Sequence, residues 1–263
     1  MNIQPFRDEA IEAATRAGKL LRSELGKRRQ VAFKGSPTNL VTEMDRRAEA
    51  LIIEALRARF PTHAILSEER GSVGPASPYC WIIDPLDGTT NYAHGFPVYA
   101  VSIALEVDGE VVLGVAYDPN RDECFVAERG KGSFLNGKRL RVSETPTLNE
   151  SLLATGFPHN IREAQDNNLA EHATFSLRCQ AVRRTGSAVL YLCDVAAGRL
   201  DGYWELRVGP WDVAAAALLV EEAGGRVTDL VGAPLDLRSP KIVASNGRIH
   251  DEMLAVLEEV QAR

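Results

Sequence analysis

The segment Trp81-Ile82-Ile83-Asp84-Pro85-Leu86-Asp87-Gly88-Thr89-Thr90-Asn91 runs an apolar stretch straight into two carboxylates three positions apart. The apolar part reads as a strand, and Pro85 fixes the backbone between the acids, so both can converge on one point just past the strand end. Hard divalent cations take such oxygens, Mg²⁺ in octahedral geometry with its remaining positions shared among water and substrate phosphate. Gly88-Thr89-Thr90 then opens a turn or helix whose N–H groups can hold a phosphate oxygen. The same residues also fit an ordinary Asp-Pro and Asp-Gly turn with a Thr cap, and both readings stand at this point.

Composition narrows the class. At roughly 150 residues per domain, 263 residues make one large domain or two modest ones. Apolar residues at 45% and charged residues at 25% exclude disordered, collagen-like and coiled-coil chains. The 30 Lys and Arg against 36 Asp and Glu leave a formal charge of -6, which argues against a nucleic-acid partner bound by phosphate neutralisation. A small anionic substrate then needs local help, such as metal ions. The start Met1-Asn2-Ile3-Gln4-Pro5-Phe6 has no apolar stretch after a basic one, so no signal peptide is expected and the expected location is the cytoplasm. The longest apolar run, 213–220, has eight residues against the ~20 that span a bilayer, so no membrane span is expected. Cys80, Cys124, Cys179 and Cys193 form no Cys-x-x-Cys pair and read as buried free thiols. His63, His94, His159, His172 and His250 show no ligand spacing and read as surface or loop residues.

Periodicity supplies the elements. Ile11, Ala14, Gly18, Leu21 and Leu25 recur at three and four, which predicts a helix over 8–25; a second begins after Thr42 and is stopped by Pro61. Strands are predicted at 79–83, 99–107 and 110–117, the last two joined by Asp108-Gly109, with another hairpin at Asn136-Gly137. Gly130-Lys131-Gly132 reads as a strand-connecting turn. The polar stretch Ser143-Glu144-Thr145-Pro146-Thr147 predicts a boundary between an α+β unit at 1–145 and an α/β unit at 146–263. Beyond it the pattern predicts strands at 152–155, 202–206 and 241–245 and helices at 187–197, 212–223 and 249–261.

Acidic residues recur at other element ends: Asp45, the Glu68-Glu69 pair, and Asp212 after Trp211. Each alone fits a first-turn carboxylate or a solvated loop. Their order and spacing, with Lys34-Gly35-Ser36-Pro37, Leu40-Val41-Thr42, Ala100-Val101-Ser102-Ile103-Ala104, Gly186-Ser187-Ala188 and Trp211-Asp212-Val213-Ala214, resemble the inositol monophosphatase family over nearly the whole chain.

The resemblance implies a layered αβαβα sandwich of the sugar-phosphatase fold and a cytoplasmic, lithium-sensitive homodimer that hydrolyses a small phosphorylated polyol or sugar. It implies two or three Mg²⁺ per site, with Mn²⁺ as the alternative. Residue by residue, Glu69, Asp84 and the Leu86 carbonyl would hold one ion; Asp84, Asp87 and Asp212 would hold a second. Asp45 and Thr89, with Glu69, would activate the attacking water, and the Gly88 and Thr89 backbone would hold the phosphate. Gly186, Ser187, Ala188 and Glu205 would meet the polyol hydroxyls. The chain departs from the common Gly-Glu-Glu pattern at Ser67, which touches loop geometry more than liganding.

The same fold also hosts fructose bisphosphatase, histidinol phosphatase and nucleotide phosphatase activities, so metal ligands do not name the substrate. Thr90-Asn91 resembles the inositol phosphatases, whereas nucleotide-phosphatase relatives usually carry Lys there. A different class of function is a regulatory accessory of RNA or transcription complexes, for which Lys27-Arg28-Arg29 and the arginines of 178–184 offer basic patches.

Overall fold

A computed structural model describes residues 2–27, 31–33, 40–238 and 241–262. The Lys34-Gly35-Ser36-Pro37 motif and Arg28-Arg29 of the basic patch lie outside the described residues.

Five layers stack in the order α, β, α, β, α, as the family resemblance implies. The outer layer is α1 (Gln4–Glu24) and α2 (Glu43–Arg59). Pro5 sits in the first turn of α1, where its missing N–H costs nothing, which is why the helix starts earlier than the apolar period alone predicts. Ahead of α2, β1 (Val31–Phe33) and β2 (Leu40–Thr42) pair antiparallel as a separate ribbon.

The first sheet holds β3 (Ala64–Ser67), β4 (Gly71–Val73), β5 (Tyr79–Asp87), β6 (Ala100–Val107), β7 (Glu110–Asp118), β8 (Glu123–Glu128), β9 (Gly132–Leu135) and β10 (Lys138–Arg139). Its order is β10-β9-β8-β7-β6-β5-β3-β4, antiparallel throughout except for β3 beside β5. Both expected hairpins are present, Asp108-Gly109 between β6 and β7 and Asn136-Gly137 between β9 and β10. Gly130-Lys131 makes the turn into β9, as read from the sequence.

After α3 (Thr89–Ala93), which follows β5, the second half adds β11 (Leu152–Thr155), α4 (Leu169–Ser176), β12 (Ala181–Arg183), α5 (Ala188–Ala196), β13 (Gly202–Glu205), α6 (Pro210–Glu222), β14 (Arg226–Thr228), β15 (Ile242–Ser245) and α7 (His250–Gln261). Its mixed sheet runs β12-β11-β13-β15-β14. Each sheet therefore lies on one side of the polar stretch at 143–147, but the core crosses it. Ile82, Ala100, Ala104 and Ala116 of the first sheet share one apolar cluster with α5, α6 and Tyr203 and Ala244 of the second.

Strand alternation assigns the layers. Trp81 and Ile83 pack toward α1 and α2, while Ile82 between them packs toward α5 and α6. Likewise Tyr203 faces the central helices and Trp204 faces α7. Residues 213–220 are buried on every side of α6, which explains their uniform apolarity without a bilayer. No described helix is long and apolar enough to cross a membrane.

Four details differ from the sequence reading. The strand predicted at 79–83 continues to Asp87, with a break in its pairing to β6 between Asp84 and Asp87. The sequence reading gives no range for β1, β2, β3, β4, β8, β12, β14 or α4; each is short and its pattern is indistinct without its neighbours. His63 and His250 are core residues instead of surface ones. His63 stacks on Tyr79 and accepts the Trp81 Nε1–H at 3.1 Å; His250 lies between the hydroxyls of Thr228 and Ser245, each at 2.9 Å. Burial lowers both imidazoles, His250 to about 4, so a neutral ring is what the core holds. The four cysteines are free, and of them only Cys193 is fully buried.

Candidate active site

The site begins where β5 stops pairing regularly. Asp84 lies opposite Ser102 of β6, and Asp87 opposite Ala100, so Pro85 and Leu86 bulge between them. Asp84 Oδ1 accepts the Leu86 N–H at 2.9 Å. Gly88 follows in the left-handed region at φ 92°, and a Cβ there would stand 2.9 Å from the Val98 carbonyl oxygen, so only glycine turns the chain into α3 at this point.

Asp87 reaches across to the second half of the molecule. Its carboxylate accepts the Ser187 hydroxyl and the Val189 and Ala188 N–H groups, at 2.9 and 3.3 Å for the amides. It thereby serves the N-terminus of α5, where negative charge is favoured. Asn91 adds a second tie, its amide donating to the carbonyl of Thr185 at 2.6 Å. Asp212 sits in the first turn of α6 and accepts the Gly209 N–H at 2.5 Å.

These elements bring one carboxylate oxygen each from Asp84, Asp87 and Asp212 within 4.8 Å of one another. Burial raises Asp84 well above the ordinary carboxylate range, with Glu68, Asp87 and Asp212 adding repulsion. Burial likewise lifts Asp212 well above its ordinary value, reinforced by Asp87 and Glu68, and takes Asp87 to about 6 against the hydrogen bonds from α5. An all-oxygen donor set whose charges repel in a low-dielectric recess fits a hard divalent cation.

Asp45 stands behind this group on α2, fully buried. Its Oδ2 accepts the Thr42 N–H at 2.7 Å and the Thr42 hydroxyl at 2.6 Å, which caps the helix. Its Oδ1 accepts the Thr89 hydroxyl at 2.8 Å. Burial raises the Asp45 pKa, partly offset by these bonds.

A cleft of about 540 Å³ opens over the cluster, lined by Glu68, Asp84, Leu86, Asp87, Gly88, Thr89, Gly186, Ser187, Ala188, Glu205 and Asp212 among others. Glu205, at the end of β13, is buried and accepts the Tyr203 hydroxyl at 2.5 Å; burial lifts its carboxyl to about 7.

Of the residues singled out from the sequence, Asp45 and Glu69 do not line this cleft: Asp45 lies behind it, bonded to Thr89, and Glu69 follows Glu68 in the chain. Glu68 lines it, and Glu68 is the charge acting on Asp84, Asp87 and Asp212. The reason is the pleat. In β3 Ile65 packs toward α2 and Leu66 toward the central helices, so even positions face the cleft side. The Glu68 N–H continues the ladder to the Ile83 carbonyl at 3.3 Å and keeps that parity. Ile65 and Leu66 are both apolar, so alternation past Ser67 chooses Glu68 only once the pairing of β3 fixes which face is which. Arg184, read from the sequence only as part of a basic patch, is an exposed cation on the cleft wall 4.7 Å above the Phe157 ring, and exposed His94 and His159, read only as surface or loop residues, line the cleft too. Only their place in the fold marks them.

The family model of the inositol monophosphatase family matches residues 2–262. The chain is 47% identical to an inositol-1-monophosphatase of Synechocystis sp., covering 97% of this chain and 90% of that protein. It is 42% identical to the Nus factor SuhB of Escherichia coli, covering 98% and 97%. A solved inositol monophosphatase from Anabaena (Nostoc) sp. superposes with a TM-score of 0.89 at 44% identity, covering 98% and 97%.

Proposed function

The chain belongs to the inositol monophosphatase family, and from that premise we propose that it is a Mg²⁺-dependent phosphomonoesterase of inositol monophosphates and related sugar phosphates. The observation that carries this reading is the convergence of buried Asp84 and Asp87 with Asp212 beneath a cleft walled by Glu205. Glu68, Asp84, the Leu86 carbonyl, Asp87 and Asp212 would hold the cations. Bound divalent ions supply charge that lowers the pKa of a water nucleophile and neutralises the leaving alkoxide.

The protein's own groups do the rest. Thr89 donates its hydroxyl proton to Asp45, which leaves its oxygen free to accept a hydrogen bond from the attacking water and orient it. As water gives up a proton to Thr89 Oγ, the Thr89 proton passes to Asp45, whose burial makes it a better base than a solvated aspartate. The backbone of Gly88 and Thr89 seats the phosphate. Glu205, with Ser187 and Ala188 beside it, meets the polyol; a carboxyl that titrates near 7 can both accept from and donate to a hydroxyl. The reading includes a cytoplasmic homodimer, Mn²⁺ as the alternative cation and inhibition by millimolar Li⁺.

Phosphate release from inositol 1-phosphate, fructose 1,6-bisphosphate, histidinol phosphate and adenosine 3′,5′-bisphosphate at fixed Mg²⁺ tests the reading. The highest kcat/KM is expected on inositol 1-phosphate, with a loss of at least 100-fold in Asp84→Asn. A preference for the nucleotide, or a loss below tenfold, overturns it. The relatives named Nus factor SuhB favour a second reading, a regulatory role in transcription complexes. Binding of RNA or polymerase by the inactive Asp84→Asn protein would support that role independently of catalysis.

A further inference from the structure

Glu49 is a carboxylate with 1% of its surface exposed, on a helix whose other buried side chains, Asp45 apart, are apolar, and the reaction described above makes no use of it. It lies four residues after Asp45, so both project from one face of α2. Its Oε1 accepts the Ser67 hydroxyl at 2.5 Å and the Arg70 N–H at 3.1 Å, and its Oε2 accepts the Arg70 Nε–H at 2.9 Å.

Those partners flank Glu68 and Glu69. β3 and β4 form a hairpin whose last pair is Ser67 with Gly71, so residues 68–70 are the loop and Glu49 grips it on both sides. Three donors, one of them cationic, satisfy the oxygens of this buried carboxylate. The position where this chain departs from its family's common glycine is the one that supplies the hydroxyl.

We propose that Glu49 is a positioning residue: through Ser67 and Arg70 it holds the β3–β4 loop so that the Glu68 carboxylate stays at the metal site. The inference rests on the reading that Glu68 is a metal ligand. One helix face then organises both halves of the chemistry, Asp45 aligning Thr89 and Glu49 aligning Glu68. Groups that orient a ligand act on metal affinity by about 10- to 100-fold, whereas a carboxylate that only stabilises the fold leaves affinity unchanged in the folded protein.

Mn²⁺ binding to the metal-free protein, followed by the loss of free-ion EPR signal, reads this without turnover. Glu68→Gln is expected to weaken binding and establishes the ligand; if it does not, the reading of Glu68 as a ligand is what fails. With that loss in hand, Glu49→Gln should raise the Mn²⁺ dissociation constant about tenfold, Ser67→Ala several-fold, and Ser67→Thr, which restores the hydroxyl, should return it close to wild type. Glu49→Gln with Ser67→Ala together should do little more than Glu49→Gln alone. Should Glu49→Gln not fold, Arg70→Met, altered at a half-exposed side chain, breaks one arm of the grip and should raise the constant several-fold. Unchanged Mn²⁺ affinity in folded Glu49→Gln, or in Arg70→Met and Ser67→Ala where Glu49→Gln cannot be made, overturns the proposal.

Discussion

Thr89 has one hydroxyl proton and two acceptors within reach, Asp45 Oδ1 at 2.8 Å and the Leu86 carbonyl at 3.0 Å. It can satisfy only one at a time. A cation held by the Leu86 carbonyl, as proposed, would commit the proton to Asp45, the orientation that presents a lone pair to water. Thr89→Ala and Asp45→Asn should therefore each lower kcat by ~10²- to 10⁴-fold at saturating Mg²⁺, while the double variant should be little worse than either. Losses that multiply would refute the relay. Asp45 also caps α2 through Thr42, so Asp45→Asn should additionally cost about 1 kcal/mol of stability, a cost thermal melts would not find in Thr89→Ala.

Among the elements, α6 carries the most consequence for its length. It is buried between the two sheets and presents Asp212 from its first turn, so its depth sets where that carboxylate stands. Contact with the first sheet is close because the facing positions are small: Ala100, Ala104, Ala116 and Gly114. A Cβ at Gly114 would lie 2.4 Å from the Ala215 carbonyl oxygen, a backbone atom that cannot rotate away. Gly114→Val should destabilise the protein by about 3 kcal/mol, the upper end of overpacking costs, and should weaken Mg²⁺ binding by displacing Asp212. Urea unfolding checks the first expectation; a change under about 1 kcal/mol would mean that the layers can part freely.

The whole molecule concentrates acid at one end of its central layer. Asp84, Asp87 and Asp212 repel one another with Glu68 beside them, and burial and that repulsion raise the pKa values of the three aspartates. The linkage has a definite sign. Asp87 titrates at about 6 when folded and at 3.8 when not, so between these values the folded state binds more protons. Stability from this group is gained as pH falls through 6 and is lost at neutral pH, where cations can restore it. Mg²⁺ at 100 times its Kd adds about 2.7 kcal/mol per site, several degrees in Tm for a chain of this size. The Mg²⁺-dependent rise in Tm should be larger at pH 7.5 than at pH 5.5. Metal-free Asp84→Asn should melt above metal-free wild type at pH 7.5 and gain less from Mg²⁺. Equal gains in the two proteins would separate these carboxylates from any shared metal site.

Helix periods, hairpin turns and the apolar strand ending in Asp84 and Asp87 are local properties, and the sequence determined them because they depend on spacing along one chain. The resemblance carried further, since the order of several short motifs specified the layers and most of the cleft. Tertiary structure decided what depends on distant partners. His63 and His250 read as ordinary polar positions until Tyr79, Trp81, Thr228 and Ser245 close around them. Nothing near Asp87 announces that its carboxylate also serves the N-terminus of α5, 100 residues away at Ser187. Glu68 and Glu69 are chemically identical neighbours, and spacing to Asp84 does not choose between them. What chooses is the pairing of β3 with β5, which sends alternate residues to opposite faces of the sheet, and the grip of Glu49 on the loop beyond it.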